Sequence, residues 1–232
     1  MIYTSPIFAQ ASGSIGHIVF SHNAGGPYVR HRTKPAKPPT PAQDVITDLL
    51  FNNANAWYNQ LNDAQRDAWS LYAAHTPVVN ALGQAIHLNG YCMWQRCRMA
   101  RLCDTPTGVV DAPTINTHAP LVAPSFTLDS NTARMKVYFD ETDEWTRGDP
   151  SLLMIFCSVG MSAAVNYYKG PFLFNRHIHW DWGAPLTSPQ TLTYPFEIDG
   201  GWRYFCRFRA CLYDGRVSNP TIATAVATAI WP

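Results

Sequence analysis

The alternation of apolar and polar residues divides the chain into an extended, a helical and a β-rich part. Residues 1–39 contain two alternating runs, GHIVFSH and PYVRHR, and the NAGG between them suits the turn of a β-hairpin. The segment KPAKPPTP that follows favours an extended exit, because proline holds the backbone in a polyproline-like geometry. A lone two-stranded hairpin is marginal in water, so the pattern predicts an arm that packs on the body or on another subunit.

Helical spacing begins after Thr40. Pro41 suits the first helical position, and Gln43 lies three residues after Thr40, as a capping box requires. The apolar residues that follow at helical spacing predict one buried face, made of Val45, Ile46, Leu49, Leu50, Ala54 and Trp57.

A second helix is predicted to start at LNDAQ, where Asn62 or Asp63 can cap it. After this helix, VVNALGQAIHL predicts a short hairpin that turns at Leu82-Gly83. The side of the second helix expected to carry its apolar residues consists of Ala64, Ala68, Leu71 and Tyr72.

A third helix is predicted to begin after Asn89 and to end near Leu102, with Met93, Cys97 and Ala100 facing inward. Residues 40–103 are therefore expected to form a small helical unit. The Pro- and Thr-rich sequence that follows favours an extended connector over residues 104–112.

Beyond the connector the chain changes to short runs rich in β-branched and aromatic residues. Seven candidate strands within about 115 residues predict a two-sheet β-sandwich over residues 113–232. The predicted fold class is thus α+β, with an N-terminal extended arm, a helical unit and a C-terminal sandwich. The runs are SFTLDS, ARMKVYFD, SLLMIFCSV, NYYKGPFLF, LTYPFEI, WRYFCRFRACLY and TIATAVA.

Charge and composition bear on whether the chain binds nucleic acid or membranes. The net charge of +1 implies no general attraction to nucleic acid or to anionic membranes, and the positive charge is concentrated in the arm. Four basic residues, Arg30, Arg32, Lys34 and Lys37, are few for a nucleic-acid site, because affinity grows with the number of phosphates neutralised. The sequence contains no apolar run of about 20 residues and no signal-peptide pattern at its start, so no membrane partner is expected.

The sequence contains few candidate reactive or metal-binding groups. His177 and His179 would share a face of a strand, but a third ligand is missing nearby, so no metal is expected. The acidic segment DETDEWTRGD does not match the spacing of a calcium loop and is interpreted as a solvated loop. The six cysteines are dilute, which favours reduced thiols, and GMSAA lacks the second glycine of a nucleophile elbow. Neither an enzyme nor a cofactor is expected.

The run YFCRFRACLYDGRVSNPTIATA resembles the final hairpin of a fibronectin type III domain, one of the immunoglobulin-like sandwiches. This resemblance implies that Tyr204, Cys206, Phe208 and Ala210 point inward, while the intervening Arg207 and Arg209 point outward.

Several motifs in order, from ASGSIGHIVFSHNAGGPYVRHRTKP through AWYNQLNDAQRDAWSLYAAHTPVVNALGQAIHLNG to VVDAPT and YFDETDEW, resemble a group of uncharacterised proteins of tailed bacteriophages and prophages. The resemblance implies a virion-associated protein that is made in the host cytoplasm. Its expected partners are other virion proteins or copies of itself.

The resulting hypothesis is a capsid-decoration, neck or tail protein that assembles through its arm and its helical unit. The alternative is a module that binds carbohydrate or a host surface through Trp180 and Trp182, which alternate with Asp181 and can serve either as a sugar platform or as interface anchors. The arm residues predicted to lie in the interface are Phe20, Tyr28, Arg30, Arg32 and Lys34.

Overall fold

The structure is a computed structural model that describes residues 12–33, 40–80, 83–102, 108–116, 121–148, 150–179 and 186–228. Helices and antiparallel sheets are both present, so the predicted α+β class is confirmed. The chain divides into two compact units, Met1–Gln95 and Arg96–Pro232.

The described part of the arm is a small antiparallel sheet of β1 (Gly13–Ile15), β2 (Ile18–Asn23) and β3 (Gly26–His31). The predicted hairpin is confirmed, because β2 pairs with β3 and its turn is closed by the Asn23 side chain, which accepts from the backbone N–H of Gly25 at 2.9 Å. Strand β1 lies outside the predicted runs, since the sequence GSI has no alternation to reveal it.

The first helix, α1, spans Pro41–Asn59, and its predicted capping box is present. The backbone N–H of Gln43 donates to the Thr40 hydroxyl at 3.4 Å, and the backbone N–H of Thr40 donates to the Gln43 side chain at 2.9 Å. These two bonds satisfy amide groups that the first turn cannot pair within the helix.

The predicted buried face of α1 is correct only over its C-terminal half. Trp57 is buried and contacts the rings of Tyr91 and Trp94, with centroids 5.6 and 5.4 Å away. In the N-terminal half, Leu49 is half-buried, and the prediction of burial is wrong for the following residues: Val45 is 58% exposed, Ile46 50% and Leu50 41%.

Helix α2 (Asp63–His75) begins with a second capping box, between Asn62 and Gln65. Its inward face differs from the predicted one: Trp69, Tyr72 and Ala73 are buried. Trp69 has the largest apolar surface on the helix, so its burial outweighs that of smaller side chains and sets the inward face. The residues wrongly expected on that face are exposed: Ala64, Ala68 and Leu71.

The short hairpin is confirmed as β4 (Val78–Val79) paired with β5 (Ala85–Ile86), although Leu82 lies outside the described residues. Helix α3 (Gly90–Arg101) starts after Asn89, whose side chain accepts from the backbone N–H of Cys92 at 2.7 Å. A side chain at Gly90 would meet the Ser70 backbone at 2.8 Å, so the start of α3 requires a glycine.

The predicted inward residues of α3, namely Met93, Cys97 and Ala100, are all buried. Arg96 donates to the backbone oxygens of Val217 and Ser218, at 3.3 and 3.1 Å. The division between the two units therefore falls within α3, ahead of the connector predicted at 104–112, of which residues 104–107 lie outside the described part.

The second unit contains two antiparallel sheets, one ordered β10-β7-β6 and the other β12-β11-β8-β9, with a short 3-10 helix at Glu144–Thr146. Their strands are β6 (Ser125–Asp129), β7 (Arg134–Tyr138), β8 (Leu152–Cys157), β9 (Leu173–His179), β10 (Gln190–Thr193), β11 (Arg203–Cys211) and β12 (Thr221–Val226).

Two of the seven predicted strands are displaced. Strand β9 begins only at Leu173 and continues to His179, and β10 ends at Thr193. Pro171 and Pro195 lie within the predicted runs but outside these strands, because proline has no N–H to donate to a sheet.

The two sheets face each other across one shared core. Strand β11 contributes every second side chain to it, namely Tyr204, Cys206, Phe208 and Ala210, as predicted. The facing sheet contributes residues of β6 and β7, which are Phe126, Leu128, Met135 and Val137.

Candidate interaction surfaces

The arm sheet has two faces that differ in chemistry. Because paired residues of antiparallel strands point to the same side, Ile15, Ile18 and Phe20 share one face. Tyr28 and Arg30 lie on the opposite face. The residues predicted to form the arm interface are thus distributed over both faces, while Lys34 lies outside the described part.

The most exposed apolar side chains of the arm are on the first face, where Ile15 is 75% exposed. Arg30 and Arg32 are exposed as well, and Arg32 is held at the end of the sheet by its backbone N–H, which donates to the His17 oxygen at 2.7 Å. The arm therefore presents an apolar face and two positive charges to its surroundings.

A second apolar surface lies on the N-terminal half of α1, and we call it the α1 stripe. It consists of Val45, Ile46 and Leu50, which continue the helical side that is buried further along at Trp57. Two exposed acidic residues, Asp44 and Asp48, lie in the same turns of the helix. The apolar side of α1 is thus covered by its own unit only in part.

The third surface, which we call the arginine–aromatic face, lies on the outer side of the sheet formed by β12, β11, β8 and β9. It consists of Phe156, Phe172, Phe174, Arg207 and Arg209. Arg207 stands opposite Phe156 of the neighbouring strand, and its guanidinium carbon lies 4.7 Å from the centroid of that ring and 5.1 Å from that of Phe172. These distances are typical of cation–π contacts.

The rings of this face are packed against one another. Phe156 and Phe174 meet edge to face with centroids 5.4 Å apart. Tyr168, in the segment before β9, stacks on Phe205 at 5.7 Å and meets Phe172 edge to face at 5.0 Å. The aromatic surroundings of Arg207 are therefore held in place by several ring contacts.

Arg207 and Arg209 point away from the core as predicted, but they are half-buried rather than freely solvated. Among the described residues neither has a hydrogen-bond or ion-pair partner, and the Nε atom of each is buried without an acceptor. Burial, together with the positive charges of Arg96 and Arg207, lowers the pKa of Arg209 to about 10. The positive charges of Arg207 and Arg209 are thus not balanced by a negative partner among the described residues.

His177 and His179 share a face of β9 as predicted, with ring centroids 5.6 Å apart. They border an open pocket of about 420 Å³ that is also lined by Arg176 and Gln190. The described residues contain no group of three His, Cys, Asp or Glu side chains that could hold a metal ion. Trp180 and Trp182, the predicted sugar or interface aromatics, lie outside the described residues.

The acidic turn between β7 and β8 uses its carboxylates inside the protein. Asp140 accepts from the backbone N–H and the hydroxyl of Thr142, at 2.8 and 2.7 Å, and these bonds lower the pKa of its carboxyl group. Glu141 accepts from the backbone N–H of Ser188 at 2.7 Å, while Glu144 pairs with Arg216 at 2.5 Å. Three carboxylates of the turn are thus bonded to groups within the protein.

Sequence reasoning did not identify the arginine–aromatic face as a site. The alternation in YFCRFRA was a usable signal for two arginines on one side of a strand, but nothing local in the sequence brings Phe156 and Phe172 to Arg207.

No helix in the described part of the chain is long and apolar enough to cross a membrane. Comparison of the chain with protein-family models, with curated proteins and with solved structures finds no match in any of the three.

Proposed function

We propose that this chain is a non-enzymatic structural protein of a tailed-bacteriophage particle, as a decoration, neck or tail component, and that it assembles through its arm and helical unit. The observation that carries the proposal is the uncovered α1 stripe. An amphipathic helix gains stability by burying its apolar side, and each large aliphatic side chain contributes roughly 1.5–3 kcal/mol when it leaves water. The resemblance of the sequence to phage and prophage proteins provides the biological setting.

The partner that fits the α1 stripe is the arm of a second copy of the chain. Ile15 and Ile18 offer an apolar face of matching chemistry. Arg30, on the opposite side of the arm sheet from Ile15, and Arg32 carry positive charge, whereas Asp44 and Asp48 carry negative charge in the same turns of α1 as the stripe, so the two elements attract each other at long range. The proline-rich sequence between arm and helix favours an extended spacer, which allows an arm to reach a neighbour.

For the second unit we propose a fibronectin type III-like sandwich. The strand order supports this, since β9, the fourth of the seven strands in the described part of the unit, lies beside the third, β8, and not on the opposite sheet as in constant-type immunoglobulin domains. Tyr204 adds a tyrosine corner, because its hydroxyl accepts from the backbone N–H of Asp199 at 2.8 Å and lies 3.2 Å from the Glu197 oxygen. An experimental structure with β9 paired to β10 would contradict this assignment.

The assembly proposal predicts that Ile46→Asp with Leu50→Asp weakens self-association of the full chain about tenfold or more, because it places charge on the proposed contact. Sedimentation velocity over a concentration series measures the effect. Leu71→Asp is the matched control, since Leu71 is an exposed leucine of α2, 63% accessible, outside the stripe.

A chain that starts at Thr40 should remain folded by circular dichroism and lose self-association to the same extent, because it lacks the proposed occupant of the stripe. Peptide mass spectrometry of purified phage particles tests the setting: recovery in stoichiometric amounts is expected, and absence from the particles would contradict a virion role. Unchanged association in both the stripe variant and the shortened chain would contradict the arm-on-helix contact.

A further inference from the structure

We propose that Arg207 and Arg209 form a binding site for a carboxylate group on a partner protein, presented by a segment in which aspartate or glutamate stands beside apolar side chains. The site lies in the second unit and is independent of the assembly contact proposed above. The site can exist whether or not the chain belongs to a phage particle.

The two arginines of this site carry positive charge that the described residues do not balance. Arg207 and Arg209 are two residues apart on one strand, so their side chains leave the same side of the sheet about 7 Å apart along it. Neither meets an anion among the described residues. A half-buried charge without a counterion destabilises the folded protein, and a ligand that supplies the missing negative charge offsets this cost.

Arg216 shows the opposite arrangement within the same unit. Arg216 is buried too, but it is paired with Asp214 at 2.6 Å and with Glu144 at 2.5 Å, and these partners raise its pKa. Burial has the opposite effect on Arg207 and Arg209, whose pKa values are lowered. Among the described residues, the fold therefore places carboxylates beside Arg216 but not beside Arg207 or Arg209.

Arg207 is also held by its aromatic neighbours. The guanidinium of Arg207 lies against two phenyl rings, those of Phe156 and Phe172, which restrain its orientation. The donors along the edge of a guanidinium match the two oxygens of a carboxylate, and an oriented guanidinium loses less conformational entropy when it binds one. The ring contacts thus prepare Arg207 for recognition of a planar oxyanion.

The apolar side chains around Arg207 indicate the class of partner. Arg207 stands in a row across the sheet with Ile222 on one side and, beyond Phe156, Phe174 on the other, and these two outer side chains are 50% and 40% exposed. Arginine flanked by exposed apolar and aromatic groups is typical of the central residues of protein interfaces. Nucleic acid fits less well, because the rings pack on each other and on Arg207 instead of offering free faces for bases.

The test uses the full chain and an N-acetylated peptide of alternating glutamate and leucine, with the corresponding glutamine–leucine peptide and inorganic phosphate as comparison ligands. Binding is measured by calorimetry for the wild type, Arg207→Gln, Arg209→Gln and Arg134→Gln. Arg134 is an exposed arginine at the start of β7, so its replacement makes the same change in net charge away from the site.

The wild type and Arg134→Gln should bind the glutamate peptide, and each of the other two variants should weaken binding tenfold or more. The glutamine peptide should bind the wild type correspondingly weakly. Absence of binding to the wild type, or equal affinity for all four chains, would overturn the proposal. Tighter binding of phosphate than of peptide, with the same dependence on Arg209, would overturn the assignment to a protein carboxylate.

A melting experiment without ligand provides a second readout. Arg209→Gln should melt at a higher temperature than the wild type, because it removes a charge that burial and two neighbouring arginines disfavour. A lower melting temperature would show that the Arg209 side chain stabilises the isolated chain, which would contradict an uncompensated charge awaiting a ligand.

Discussion

At the scale of single residues, Phe208 shows how strand alternation becomes core packing. It is fully buried, lies opposite Ile155 and Thr221 on the two neighbouring strands, and meets the ring of Phe126 from the facing sheet at 6.3 Å. Its neighbours in the sequence, Arg207 and Arg209, point to the other side. A shift of the strand by one residue would turn Phe208 outward and bring Arg207 and Arg209 into the core. The cost of burying two guanidinium groups excludes that register.

We therefore expect Phe208→Ala to lower the free energy of unfolding by about 3–5 kcal/mol, because the cavity adds to the lost burial of the ring. Urea denaturation followed by tryptophan fluorescence measures the loss. The control is Phe51→Ala, since Phe51 is 70% exposed on α1 and its loss should change stability by roughly 0.5 kcal/mol or less. Equal effects of the two substitutions would contradict the inward position of Phe208.

At the scale of elements, α1 and α2 begin with the same type of capping box but differ in what covers their first turns. The box of α1, at Thr40, leads into the exposed α1 stripe. The box of α2, at Asn62, adjoins the buried Leu61 and is followed by the buried Trp69. A cap stabilises global folding only where its helix turns are packed on the rest of the protein.

Asn62→Ala should thus lower the free energy of global unfolding by about 1 kcal/mol, as is usual for a lost N-cap. Thr40→Ala should leave the thermal midpoint nearly unchanged and instead speed amide hydrogen exchange in the first turns of α1. Hydrogen exchange monitored by mass spectrometry separates the two effects in the isolated chain. A comparable fall in global stability for both variants would show that the start of α1 is packed on its unit.

At the scale of the whole molecule, the five described cysteines are free thiols, and their burial separates them into two groups. Cys157 and Cys206 face each other in the core of the second unit with sulfur atoms 3.8 Å apart, whereas Cys92 is exposed on α3. Burial raises the pKa of Cys97 to about 12 and also raises that of Cys206. A buried neutral thiol is a poor nucleophile, because the thiolate is the reactive form.

In a Cys103→Ser background, iodoacetamide at pH 8 should modify Cys92 in the native protein and reach the other four described thiols only after unfolding. Raising the pH to 9 should not make Cys97 reactive. Because its pKa is raised on folding from 9.0, the stabilising contribution is complete below pH 9 and declines as the pH rises towards 12. Peptide mapping by mass spectrometry identifies the modified residue, and alkylation of Cys206 in the folded chain would contradict its burial.

Local signals in the sequence were sufficient where neighbouring residues determine the structure. The Thr40 and Asn62 caps, the turn after Asn23 and the inward side of β11 all follow from contacts within a few positions along the chain. Such features depend on backbone hydrogen bonds and on alternation, which are encoded locally. The α+β class follows from the order of these segments.

Tertiary structure alone decided which apolar side chains have neighbours and which charges have partners. The spacing of Val45, Ile46 and Leu50 is the same whether a helix is covered or exposed, so periodicity could not reveal that the α1 stripe is open. Likewise the fold brings two phenyl rings to Arg207 and two carboxylates to Arg216. Both outcomes depend on residues distant in sequence, because burial and ion pairing are properties of the assembled chain.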